Sequence, residues 1–196
     1  MKKYIKYGIT VGIVLTFIVG LLWPVKNNIF YVEMSVKDYG KIELELDGDT
    51  APITVDNFIE LVNDKFYDGL TFHRIIDGFM IQGGDPDKNG SGGSGKTIKG
   101  EFSNNNVKND ISHTRGVISM ARRGGDNDSA TSQFFIVHKD STHLDGNYAA
   151  FGKVVKGIEV VDKIVEAVSS LGDDNGLIPV EKQPTIEYIK VIEKDK

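Results

Sequence analysis

Polar and apolar residues alternate without a break over Lys41-Ile42-Glu43-Leu44-Glu45-Leu46-Asp47, which predicts a strand with one buried and one solvated face. Similar segments predict strands at 29–36, 71–76, 79–83, 116–121, 134–138, 151–156 and 185–193, many of them separated by glycine-rich turns. Two stretches follow the helical period instead. Val55, Phe58, Ile59, Val62 and Phe66 recur at i, i+3, i+4, i+7 and i+11, with Pro52 near the start. Ile158, Val161, Ile164, Val165 and Val168 repeat the pattern after Gly157. So many strands with only two helices cannot form alternating strand–helix–strand units. The expected fold is mainly β: a closed, or nearly closed, eight-stranded antiparallel β-barrel capped by two α-helices. Alternation along 71–76 puts Phe72, Arg74 and Ile76 on one face, with His73 and Ile75 on the other. In the next strand Phe79, Ile81 and Gly83 oppose Met80 and Gln82.

The N-terminal end fits neither period. Tyr7 to Val25 is a run of 19 residues without a charge, most of them strongly apolar. As a helix rising about 1.5 Å per residue it reaches about 28 Å, close to the hydrocarbon thickness of a bilayer. A cleaved signal peptide has a shorter apolar stretch and then a small-x-small site, which Leu21-Leu22-Trp23-Pro24-Val25-Lys26 does not offer. The reading is an uncleaved signal anchor, a transmembrane helix over residues 1–27, ahead of one domain over 28–196; secretion after cleavage is the alternative. Lys2, Lys3 and Lys6 precede the span and Lys26 follows it, so the positive-inside rule places the N-terminus in the cytoplasm. The protein is thus expected in the cell membrane, single-pass, with its domain outside the cytoplasm.

Charge sharpens this division. The chain carries a formal net charge of −5, but its first 27 residues hold four lysines and no acid, leaving 19 basic against 28 acidic residues in the other 169. Such a body lacks the clustered positive field that nucleic acid requires. The absence of cysteine excludes disulfides, thiolate nucleophiles and Cys-ligated metals. Gly90 to Thr97 satisfies the G-x-x-x-x-G-K-[ST] pattern of a phosphate loop. That loop works only between a buried strand and a helix N-terminus, and neither flank fits, so a surface loop without nucleotide is expected. No heptad pattern argues for self-association, which leaves a monomer.

The densest chemistry lies in Phe72-His73-Arg74-Ile75-Ile76-Asp77-Gly78-Phe79-Met80-Ile81-Gln82-Gly83-Gly84. This block resembles the cyclophilin family of peptidyl-prolyl cis–trans isomerases. Further similar blocks follow in the family's order: Gly116 to Ala121, Ser129 to Ile136, Leu144-Asp145-Gly146 and Phe151-Gly152-Lys153-Val154. The resemblance covers roughly residues 30–194 and implies the family's eight-stranded barrel with two helices, in agreement with the periodicity. It also implies an enzyme without cofactor or metal, acting on proline-containing unfolded or folding polypeptides. Catalytic roles fall to Arg74, with Gln82 orienting it or the substrate. Phe79, Met80, Phe135 and Leu144 are implied as the proline pocket, with Ala121, Arg122 and Gln133 along the bound peptide. The alternative is a proline-binding chaperone or scaffold module with little turnover.

These residue types suit that reaction. A prolyl amide resists rotation because its C–N bond has partial double-bond character, with a barrier of about 18–20 kcal/mol. Twisting the bond pyramidalises the nitrogen and exposes a lone pair that a guanidinium can hydrogen-bond. Because that contact exists only near the transition state, it accelerates the reaction rather than merely binding. By composition alone Phe79, Met80, Phe135 and Leu144 would be core residues and Arg74 a solvated rim charge; the ordered motif overturns this. His73 reads as structural, and His138 with His143 lacks a third ligand for a metal. Relative to the best-known eukaryotic members, His143 replaces a tryptophan that contributes to cyclosporin binding, Tyr148 a pocket-edge histidine, and Arg122 an asparagine. Arg122 and Arg123 add positive charge beside the expected groove.

Overall fold

The computed structural model describes residues 28–193. The expected anchor over 1–27 lies outside the described residues, and no helix among those described is long and apolar enough to cross a membrane. Eight strands are present: β1 (Ile29–Val36), β2 (Gly40–Asp47), β3 (Phe72–Ile76), β4 (Met80–Gly83), β5 (Val117–Met120), β6 (Phe134–Val137), β7 (Ala150–Lys156) and β8 (Ile186–Ile192). They form one sheet in the order β3-β4-β6-β5-β7-β2-β1-β8, every neighbouring pair antiparallel. The two helices are α1 (Pro52–Asn63) and α2 (Ile158–Val168).

The expected closed barrel is corrected to a curled sheet whose end strands, β3 and β8, meet without a full ladder. They are joined ahead of their ordered spans by the bridge Thr71–Thr185. Backbone bonds from Phe72 N to Pro184 O (2.9 Å) and from Ile186 N to Leu70 O (2.8 Å) complete the seam. Pro184 has no N–H to return, which limits how far a ladder can extend there.

Helix α1 closes the inner face. Its Phe58 ring lies 5.1 Å from Tyr67, 5.6 Å from Phe134 and 5.2 Å from Phe151. Its first turn has no local side-chain cap; instead the buried Glu101 carboxylate accepts from Ile53 N (3.1 Å) and from Thr54 N (2.8 Å). A distant acid thus satisfies the free amides and faces the positive end of the helix dipole. Phe66, expected as the last helical position, lies beyond the helix. Lys65 takes a left-handed φ of 56°, and Phe66 N bonds Leu61 O while Lys65 N bonds Val62 O. That pairing terminates a helix. Phe66 still packs edge-on against Tyr67 at 5.6 Å. Helix α2 buries Val161, Ile164, Val165 and Val168 against the same core, as its period requires.

Register shifts occur in four of the strand pairs, and the one in β3 bears on the groove. Register runs Phe72↔Gly83 and then Arg74↔Gln82, so β3 carries one extra residue, a bulge at His73. The expectation that Phe72 and Arg74 share a face is therefore corrected. Phe72 turns into the core, 6.0 Å from the Phe134 ring, while Arg74 and Ile76 face a separate groove. Gly83 permits this, since a Cβ there would meet Thr71 O at 2.9 Å and the Phe72 ring at 3.0 Å.

Candidate active site

The groove has an apolar floor of its own. Met80, Val117, Phe135, Val137, Leu144 and Ala150 form a buried cluster distinct from the inner core, with Phe79, Ala121 and Tyr148 packed against it. It arises because β4, β5 and β6 are covered on both faces. Along β6, Phe134 and Ile136 point into the inner core while Phe135 and Val137 point to the groove. Phe79 precedes β4 in the tight turn after Ile76 and is partly buried. Tyr148 meets Phe135 edge-on at 5.7 Å, and the exposed His143 ring lies 5.7 Å from Phe79.

Arg74 stands at the edge of this floor. Its Nη1 donates to Gln82 Oε1 (3.3 Å), the residue opposite it across the ladder, and lies 3.9 Å from Met80 Sδ. Its Nε donates to the carbonyl of Asn175 (2.7 Å), and its guanidinium carbon lies 6.0 Å from the Phe79 ring centre. Burial pulls the guanidinium pKa down, opposed by the charges of Tyr148 and Asp173; an arginine remains a cation through such a shift. Gln82 Nε2 then donates to Gln133 Oε1 (2.8 Å), and Gln133 Nε2 donates to the carbonyls of Gly90 (3.0 Å) and Gly92 (2.8 Å). A continuous hydrogen-bonded line therefore fixes Arg74, Gln82 and Gln133.

Arg122 is also held firmly. Its guanidinium carbon lies 5.3 Å from the Phe102 ring and 5.0 Å from that of Tyr148, and Nε donates to Asn147 O (2.9 Å). The structure thus brings Arg74, Gln82, Phe79, Met80, Ala121, Gln133, Phe135, Leu144 and Tyr148 onto one continuous face, with His143 and Arg122 at its borders. His73 is not part of it. Its ring is fully buried with both nitrogens unpaired, and burial lowers its pKa.

Three supports were not legible in the sequence. Asn175 belongs to a turn in Gly172–Gly176 whose Gly176 carbonyl accepts from Ile75 N (2.8 Å), locking the turn onto β3. His113 is buried behind Phe135, stacked at 5.9 Å, with Nδ1 2.8 Å from Asp145 Oδ1 and Nε2 3.0 Å from Ser119 Oγ. Burial lowers the His113 pKa, opposed by its hydrogen bond to Asp145. The third is Gly90–Gly95, expected as a flexible surface loop. Its start is tied down by Asp85, whose buried carboxylate accepts from Gly90 N as well as from Asp87 N and Asn89 N, and it walls a cavity beside the groove. Among the described residues no group of three or more His, Cys, Asp or Glu could hold a metal ion.

The sequence model described as cyclophilin type peptidyl-prolyl cis-trans isomerase/CLD matches residues 31–191. The chain belongs to this family. It is 50% identical over 124 residues to peptidyl-prolyl cis-trans isomerase B of Bacillus subtilis, covering 63% of this chain and 82% of that one. It is 43% identical over 164 residues to peptidyl-prolyl cis-trans isomerase A of Dickeya dadantii, covering 79% and 81%. Among solved structures it resembles a Cryptosporidium parvum cyclophilin type peptidyl-prolyl cis-trans isomerase crystallised in the presence of the dipeptide Ala-Pro. That similarity has a TM-score of 0.73 at 28% identity, covering 84% of this chain and 99% of the other. The cyclophilin fold is thus shared by sequence and by shape.

Proposed function

We propose that this cyclophilin catalyses cis–trans exchange of Xaa-Pro bonds in polypeptides that are still folding, with the proline ring seated on Phe79, Met80, Phe135 and Leu144. The observation that carries this reading is Arg74, fixed at two nitrogens by Asn175 and Gln82 at the edge of that floor. As the amide twists, the prolyl nitrogen becomes a better acceptor, and the guanidinium donates to it. The planar ground state offers no such acceptor, so the contact lowers the barrier selectively. Because the donor is already held, little reorganisation is needed when the bond twists. No covalent intermediate, proton transfer or metal is required. The Ala-Pro dipeptide present with the Cryptosporidium parvum relative is consistent with a proline-containing substrate.

The basic, apolar residues 1–27 support a place in the cell membrane, with the domain outside the cytoplasm and secreted or surface polypeptides as its clients. Comparing the mature N-terminus with Met1 after cell fractionation tests the anchor. Exchange NMR on a short proline peptide with the full-length chain tests the activity. Accelerated cis–trans exchange is expected, and exchange at the uncatalysed rate with bound peptide would overturn the proposal.

A further inference from the structure

The loop that carries the phosphate-loop pattern is one wall of a cavity of about 620 Å³ that opens beside Gln82, Ala121 and Gln133. Arg122, Arg123, Ser129 and Thr131 line it as well. The loop comes close to Thr131, since a Cβ on Gly93 would lie 2.2 Å from Thr131 Oγ1. The cavity is therefore lined by hydroxyls, glycine backbone and two guanidinium-bearing residues, in a body with a large acidic excess.

The charges in it are unequally answered. Arg122 is clamped by two rings and two carbonyls, Asn147 O and Arg123 O, and forms no ion pair with a carboxylate among the described residues. Arg123 is mostly exposed and reaches only Asp126, at 3.3 Å. Asp85, behind the loop, is fully buried, with its carboxylate turned to backbone amides. Two cationic residues lining a partly enclosed, hydroxyl-bearing cavity suit a carboxylate, because a charge-assisted bond gains strength where water is partly excluded.

We infer that this cavity selects substrates bearing an acidic side chain near the proline, seated against Arg122 and Arg123 while the ring occupies the Phe135 floor. The inference rests on the isomerase reading and adds a substrate class to it. The test compares paired proline peptides differing only in Glu or Gln at each of the three residues before the proline and the three after it. Both kcat/KM from exchange NMR and Kd from chemical-shift titration are read with the full-length chain. A Glu:Gln preference of about five-fold is expected at one or more positions, the size of one partly screened charge-assisted contact. It should weaken as salt rises. Arg123→Ala should reduce the preference and Arg123→Glu should bring it to one or below. Arg122 is avoided as a test position because it also props Tyr148.

Equal kcat/KM and Kd for all pairs, or a preference unchanged in Arg123→Glu, would overturn the inference while leaving isomerisation intact. Absence of turnover on every peptide would overturn the isomerase reading instead, and the Glu:Gln ratio of Kd would still decide what the cavity binds.

Discussion

Phe134 and Phe135 are consecutive on β6, both buried, yet they belong to two clusters with opposite duties. Phe134 meets Phe58, Tyr67 and Phe72, and is sealed on every side by the sheet and α1. Phe135 is backed by His113 and edged by Tyr148, on a floor bordered by polar Arg74 and Gln82. Under the proposed function, the same residue type serves stability on one face and recognition on the other. What separates them is the far side: other aromatic rings for Phe134, the groove for Phe135.

Truncating each ring should pull the two duties apart. Phe134→Ala should cost about 3–5 kcal/mol, since it opens a cavity where four aromatic rings meet and nothing can refill it. Urea titration should show this as a lower midpoint at unchanged slope. Phe135→Ala should cost about 2 kcal/mol, because water can enter from the groove, while kcat/KM for a proline peptide falls at least about ten-fold through loss of the pocket wall. Equal stability losses with equal activity losses would erase the distinction.

The smallest effect should come from the outer face, which belongs to neither cluster. Glu33 accepts from Lys41 (3.1 Å) and Tyr188 (2.9 Å) and pairs with Lys190 (3.1 Å). The Lys41 contact is the main cause that lowers its pKa to about 2 from an ordinary 4.5. A depressed carboxylate stabilises the fold above its unfolded pKa, and that contribution is lost as pH falls toward the folded value. Glu33→Gln should therefore cost about 1 kcal/mol near neutral pH after allowance for screening. The difference from wild type should shrink between pH 4.5 and about 2, the window set by those two values. Isomerase activity should not follow it.

Much of this division was readable in the chain. Period two located all eight strands, because each strand has at least one buried face. Period 3.6 located both helices, apart from the Lys65 stop that removed Phe66. The family blocks assembled the groove residues. What sequence did not show depends on contacts between distant segments: the bulge at His73, the Asn175 carbonyl behind Arg74, the Asp145–His113 brace and the folding of Gly90–Gly95 onto Gln133. A bulge shifts one residue without altering composition, and a backbone acceptor leaves no trace in side-chain pattern. The glycine-rich segment is a surface loop, as expected, but its close approach to Thr131 is one that glycine permits without announcing it.

The central claim is that Arg74 acts on the twisted amide, and one comparison tests it most directly. Exchange NMR and shift titration on the same proline peptide would be run for wild type and Arg74→Ala, in the full-length chain. The account predicts rapid exchange with wild type. In the variant, exchange should slow by about 10²–10³-fold, the scale of losing one donor to a developing charge, while peptide binding changes little. Equal exchange rates in the two proteins, with both binding the peptide, would contradict it.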